Sequence, residues 1–301
     1  MSRAPGRRVV PGMAIHTVDV NGVEQRYHVY GQGAAIVVAM PGGPGVFWDY
    51  LRMPALEEHV RVAYVEALGT GESGRLPAHP DGYTRELYAT AIDRIADDLG
   101  AGKVFLLGHS YGGFVAQYYA ATRPQRLAGV ILYDSAPVTG AEQGAEVARQ
   151  VELFVKRNEG NPEVPAVLQS LQAVGSITDD DQLTLALRGL LPSYLADYWG
   201  REAEFKPFRE HIRVNYISGR DAGGHAEPID DRELLAGITV PALVIAGHYD
   251  IICGERWARE IHELIPGSRL LILEHSGHLG NVEEPERFQD SVLRFIAAQP
   301  R

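Results

Sequence analysis

The sequence predicts an α/β fold in which a mostly parallel, doubly wound sheet carries a helical insertion. Three observations point to it. Short continuous apolar runs alternate with amphipathic helical patterns along most of the 301 residues, as parallel strands covered on both faces by crossover helices require. Two strands joined at Asn21-Gly22 lead the series, and one long interval, from about Ala136 to Gly237, is helical in pattern with no convincing strand.

In chain order, residues 1–12 are expected to be a flexible N-terminus. Ala14–Val20 and Gln25–Tyr30 read as a hairpin, Asn-Gly being the strongest short hairpin signal. Ala34–Ala39 (AAIVVA), Arg61–Val65 (RVAYV), Val104–Leu107, Gly129–Tyr133 and Ala242–Ala246 are continuous apolar runs, expected as buried strands. Helical patterns lie between them at about Glu86–Leu99, Tyr111–Ala121 and Gly254–Leu264. A last strand, Arg269–Leu273, precedes a helix near Pro285–Ala298. The expected division is a core of residues 13–135 and 238–301, with residues 136–237 as a helical cap over one end of the sheet.

Composition narrows the function. At 45% hydrophobic the chain can bury a large core, which excludes disorder for most of it. A formal net charge of −11, with lysines only at 103, 156 and 206, gives no electrostatic footprint for nucleic acid or an anionic membrane, so a small-molecule substrate is the expected partner. A lone Cys253 rules out an intramolecular disulfide and reads as a buried apolar filler. The opening MSRAPGRRVVPG has basic residues but no apolar stretch behind them, and no run is long enough to span a bilayer, so a cytoplasmic location is expected.

The stretch Val104–Gly113, VFLLGHSYGG, carries the chemistry. Gly108-His109-Ser110-Tyr111-Gly112 fits G-x-S-x-G directly after a predicted strand and directly before a predicted helix, the context in which that motif makes a nucleophile elbow. A strained turn there exposes the serine hydroxyl, glycines on either side relieve the clash between strand and helix, and the Tyr111 amide at the helix start points to where an oxyanion forms. A flexible Gly/Ser loop is the plainer reading, but strand, turn and helix in this order favour the elbow.

A serine hydroxyl needs a base and an orienting acid, expected in the order Ser, acid, His. GHYDIICG after the strand Ala242–Ala246 offers Asp250, and EHSGHLG after Arg269–Leu273 offers His278. Both sit at the carboxyl ends of their strands, on the edge where ligands of open parallel sheets bind. Asp134 in LYDSAP is the alternative acid. His275 and His278 have metal-pair spacing but no accompanying ligand cluster, so no metal and no cofactor are expected. His109 and His248 are expected in structural positions beside the elbow and the acid.

These motifs resemble an α/β-hydrolase, and more narrowly the proline iminopeptidase group, over nearly the whole chain from about Met13. Pro41-Gly42-Gly43-Pro44-Gly45 is similar to that group's His-Gly-Gly-Pro-Gly, which implies Gly43 as the second oxyanion amide. Gly69-Thr70-Gly71-Glu72-Ser73 resembles its Gly-x-Gly-x-Ser turn, and EEPERF at Glu283–Phe288 resembles the opening of its last helix. The chain departs from the group where Pro41 replaces the histidine, Glu66-Ala67-Leu68 replaces Asp-Gln-Arg, and Ile251 follows the acid where some members carry a carboxylate for the substrate's amino terminus.

The expected activity is therefore acyl transfer to water through an acyl-enzyme, on an ester, lactone or amide of a small to medium hydrophobic substrate. A proline iminopeptidase is the enzymatic alternative, and a non-hydrolytic small-molecule receptor on the same scaffold the alternative of another class. Expected substrate-binding residues are Gly42, Phe47 and Trp48 from the oxyanion loop, and Tyr194, Tyr198, Trp199, Glu202 and Glu204 from the insertion. A solvated helix face is the plainer reading of the two glutamates.

Overall fold

The computed structural model describes residues 13–226 and 228–299, and the expected flexible segment 1–12 lies outside them. Eight strands form one sheet: β1 (Ala14–Val20), β2 (Val23–Tyr30), β3 (Ile36–Met40), β4 (Arg61–Glu66), β5 (Val104–His109), β6 (Leu127–Tyr133), β7 (Ala242–Gly247) and β8 (Arg269–Leu273). Their spatial order is β1-β2-β4-β3-β5-β6-β7-β8. Only the β1/β2 and β2/β4 pairs are antiparallel; the other neighbours run parallel.

The apolar runs are continuous because each strand is covered on both faces. In β5, Val104 and Leu106 join one buried cluster with Ile92, Val115 and Tyr119, while Phe105 and Leu107 join another with Tyr64, Phe288 and Phe295. Each such side chain withdrawn from water contributes roughly 1.5–3 kcal/mol. The first face is covered by the helices Arg85–Asp98, whose first turn is capped by Thr84, and Tyr111–Thr122. The second receives the helix Pro285–Ala297. At the β1/β2 turn Asn21 and Gly22 take φ of 55° and 86°, and Asp19 Oδ1 accepts the Gly22 amide at 3.0 Å. Strand ends differ from expectation by a residue or two where the ladder continues: Met40 pairs with Gly108, and His109 with Tyr133.

Between β6 and β7 the chain folds into the helices Ala141–Arg157, Val164–Ala173, Asp180–Leu190, Glu202–His211 and a short Arg232–Ala236. This segment bonds directly to loops at the carboxyl edge of the sheet. The Phe47 amide donates to Arg213 O (3.0 Å), the Asn215 amide to Gly45 O (2.9 Å) and the His278 amide to Tyr194 O (2.6 Å).

Candidate active site

β5 ends at His109, and Ser110 follows at φ 53°, ψ −118°, a left-handed conformation that costs a residue with a side chain energy. Surrounding backbone enforces it. A Cβ on Gly108 would lie 2.1 Å from Gly112 O, and one on Gly112 would lie 2.4 Å from Met40 O. The helix Tyr111–Thr122 starts at the next residue, so the Tyr111 amide belongs to its first turn, where N–H groups point out of the helix end.

Asp250, in the turn after β7, is fully buried yet well partnered. Its Oδ1 accepts the amides of Ile252 (2.7 Å) and Cys253 (3.2 Å), and its Oδ2 lies 2.8 Å from Nδ1 of His278 in the turn after β8. A hydrogen on Nδ1, donated to that carboxylate, leaves Nε2 as the imidazole's acceptor. Ser110 and His278 both line a cavity of about 80 Å³, together with Gly42 and Gly43. Its remaining walls are the apolar Val46, Leu187, Ile212 and Leu279 with Tyr194, and the hydrogen-bonding Tyr50 and His109.

Asp134 occupies the turn after β6 at φ 44°, also fully buried. Its Oδ1 accepts the Gly247 amide at 2.8 Å, and its Oδ2 has no partner among the described residues. Burial, and then the negative charge of Asp250, hold this carboxyl well above the usual carboxylate range, which favours its neutral form. The carboxylate bonded to His278 is that of Asp250.

A second set of bonds ties the three loops together at the cavity wall, and sequence reasoning missed its centre, Tyr50. The Gly42 amide donates to Tyr50 Oη at 2.7 Å, Tyr50 Oη lies 2.5 Å from His109 Nδ1, and His109 Nε2 lies 2.9 Å from the carbonyl of His278. A carbonyl only accepts, so Nε2 carries the hydrogen, Nδ1 accepts, and the tyrosine hydroxyl donates. Ionisation does not disturb this relay. Burial, then His278, push the His109 imidazole well below its ordinary value, and burial raises the Tyr50 phenol. The Gly42 amide is taken by Tyr50, whereas neither the Gly43 nor the Gly45 amide makes a hydrogen bond to a described residue, and of these two glycines Gly43 lines the cavity. One ligating atom each from His109, Asp134 and His278 lie within 4.8 Å of one another. Both ring nitrogens of His109 are already engaged, by Tyr50 Oη and the His278 carbonyl, so His109 holds no free ligand atom for a metal.

Glu283, in the EEPERF stretch, fastens the inserted segment to the histidine turn. Its two carboxyl oxygens accept the amides of Ala196 (2.7 Å) and Gly277 (2.6 Å), and burial pushes its pKa up to about 8.

Among the expected substrate-binding residues, Gly42 and Tyr194 line the cavity; the ring of Tyr194 packs 5.0 Å from that of His278. The others do not wall it, and the expectation is corrected for them. Phe47 lies under the Arg213 guanidinium in a separate surface groove. Trp48 stacks on His28 at 4.1 Å, Tyr198 is buried, and Trp199 packs on Phe154. Glu202 and Glu204 face solvent on the first turn of their helix, Glu204 paired with Arg201 at 2.6 Å. His248 pairs with Glu255, and His275 is exposed, so it and His278 point to different environments.

This geometry, a strained serine after the fifth strand and an Asp–His pair on the turns after the seventh and eighth strands of the same edge, agrees with a family profile. The profile of the α/β hydrolase fold matches residues 35–285. The chain belongs to the α/β-hydrolase fold family. Among characterised sequences this α/β-hydrolase is 29% identical over 284 residues to a proline iminopeptidase of Saccharolobus solfataricus, covering 90% of this chain and 87% of that one. A solved hydrolase from Pseudomonas aeruginosa superposes with a TM-score of 0.71 at 25% identity, covering 96% of this chain and all of that one. A thermophilic esterase from Thermogutta terrifontis superposes with a TM-score of 0.67 at 25% identity, covering 95% and 98%.

Proposed function

We propose that this α/β-hydrolase cleaves an ester, lactone or amide with a small, uncharged acyl group, through an acyl-enzyme on Ser110. His278 Nε2 takes the serine proton during attack and returns it to the leaving group. Asp250 holds the tautomer, and the amides of Gly43 and Tyr111 receive the oxyanion. Water, activated by the same imidazole, then releases the acid. The observation that carries this reading is the 2.8 Å Asp250–His278 bond behind a cavity that Ser110 and His278 share.

Cavity size and polarity support the substrate class. About 80 Å³ is far below the roughly 300–1,000 Å³ of pockets for drug-sized ligands, which suits a short acyl group. A prolyl substrate, favoured by the iminopeptidase relative, brings a cationic amine. No carboxylate lines the cavity among the described residues, and Glu202 and Glu204 face solvent. Ile251, buried beside Asp250, supplies no charge either.

Two measurements test this. Ser110→Ala is expected to lower kcat by about 10⁶ with an unchanged fold and to abolish labelling by a fluorophosphonate; retained turnover refutes the nucleophile. Short-chain p-nitrophenyl esters are expected to be cleaved with higher kcat/KM than prolyl p-nitroanilide; the reverse order gives the site to the iminopeptidase.

A further inference from the structure

The helices Ala141–Arg157 and Glu255–Leu264 and the Tyr249 turn enclose a groove of about 650 Å³ that shares no wall residue with the catalytic cavity. In a chain of net charge −11 this groove is lined by Arg149, Lys156, Arg157, Arg256 and Arg259, with Glu255 its one wall carboxylate. Three of the cations are answered locally. Arg149 pairs with Glu146, Arg256 with Glu142 and Glu146, and Arg259 with Glu255. The side chains of Lys156 and Arg157 make no ion pair or hydrogen bond with any described residue.

Arg157 is the unusual member. Its side chain is exposed and its guanidinium lies 4.5 Å from the centre of the Tyr249 ring; Tyr249, Glu283 and Asp197 act on it electrostatically, but no carboxylate oxygen lies within ion-pair distance of it among the described residues. A guanidinium that makes no ion pair within the protein keeps its donors available to an incoming anion. An apolar surface adjoins it. Arg149, Leu153 and Lys156 recur at the i, i+4, i+7 spacing that places them on one helix face, and Leu153 is 45% exposed there.

We propose that this groove binds an organic phosphate, with the phosphate held by Arg157 and Lys156 and the organic body laid against Leu153 and the Tyr249 ring. Two cations that make no direct ion pair match a group that carries about −1.5 to −2 at pH 7, and arginine and lysine both make charge-assisted bonds to its oxygens. The net negative charge of the molecule makes the local cations necessary: at physiological salt the screening length is about 8 Å, so only charges within the groove attract the ligand.

Isothermal titration with phenyl phosphate, inorganic phosphate and phenol tests the assignment. Phenyl phosphate is expected to bind more tightly than either fragment. Arg157→Gln is expected to weaken it by about tenfold or more, the effect of one charge-assisted hydrogen bond, and Lys156→Gln by a similar factor. Lys103→Gln, an equal charge change at an exposed position elsewhere, is expected to change nothing, and ester hydrolysis by Arg157→Gln is expected to stay at the wild-type rate, which verifies its fold. Absence of millimolar binding overturns the proposal. So does binding unaffected by both groove substitutions, or equal affinity for inorganic phosphate and phenyl phosphate.

Discussion

The turns after β6 and β7 stand side by side at the carboxyl edge, and each presents an aspartate with no exposed surface. Their partners differ. Asp250 has two amides on one oxygen and an imidazole on the other. Asp134 has one amide, a second oxygen with no partner among the described residues and the charge of Asp250 nearby, so burial shifts it toward the protonated form. Burial acts on both carboxyls, and the donors each turn supplies are what differ between them. The turn after β7 has such donors because Ile252 and Cys253 fold their amides back onto Asp250.

The strongest break in this contrast is Asp250→Asn. An amide cannot hold the His278 tautomer, and kcat is expected to fall by about 10⁴ with little change in KM. Steady-state kinetics on a p-nitrophenyl ester checks it. If Asp250→Asn keeps most of its activity and Asp134→Asn does not, the two turns exchange roles. Tyr50→Phe is the next largest. It strips the acceptor from the Gly42 amide and the donor from His109 Nδ1, both buried. Each unpaired group costs about 1–3 kcal/mol, so chemical denaturation should register the loss. The oxyanion and histidine loops lose their common anchor, and a decrease of about 10²-fold in kcat is expected, the size of effect that a misplacement of about 1 Å produces.

Strands and elbow were legible because each depends on neighbours in sequence. Val104–Leu107 reads as buried from its own residues, and Gly108 and Gly112 are needed by the turn they flank. Asp250 and His278 are findable because strand ends locate them, and the structure joins them at 2.8 Å. What was not legible depends on distant segments meeting. Tyr50 matters only because Gly42, His109 and the His278 carbonyl converge on one relay. The cavity walls Val46, Leu187, Ile212 and Leu279 come from separate segments, and nothing in their local pattern separates them from core. The aromatic cluster at 194–199 shows the opposite limit: Tyr198 and Trp199 share its pattern with Tyr194, yet only Tyr194 turns to the cavity.

The smallest effect, and the sharpest on the physical difference between the two turns, belongs to Asp134→Asn. In the folded protein Asp134 has a raised pKa, whereas in the unfolded chain it titrates at about 3.9. Below that value both states hold the proton and the side chain imposes no pH-linked penalty. As pH rises above it, the unfolded chain releases its proton while the folded protein keeps its own, so stability is lost progressively up to the folded pKa. Asparagine keeps the oxygen that accepts the Gly247 amide and cannot ionise in either state. Urea denaturation of Asp134→Asn and of the wild type at pH 4 and pH 8 should therefore show an advantage for the variant at pH 8 that shrinks toward pH 4, with ester hydrolysis within about threefold of wild type, as expected of a group outside the Asp250–His278 bond. A variant that instead loses stability specifically at pH 8 would mean that Asp134 is ionised in the fold and has an unseen partner for Oδ2, and the contrast between the two aspartates would collapse.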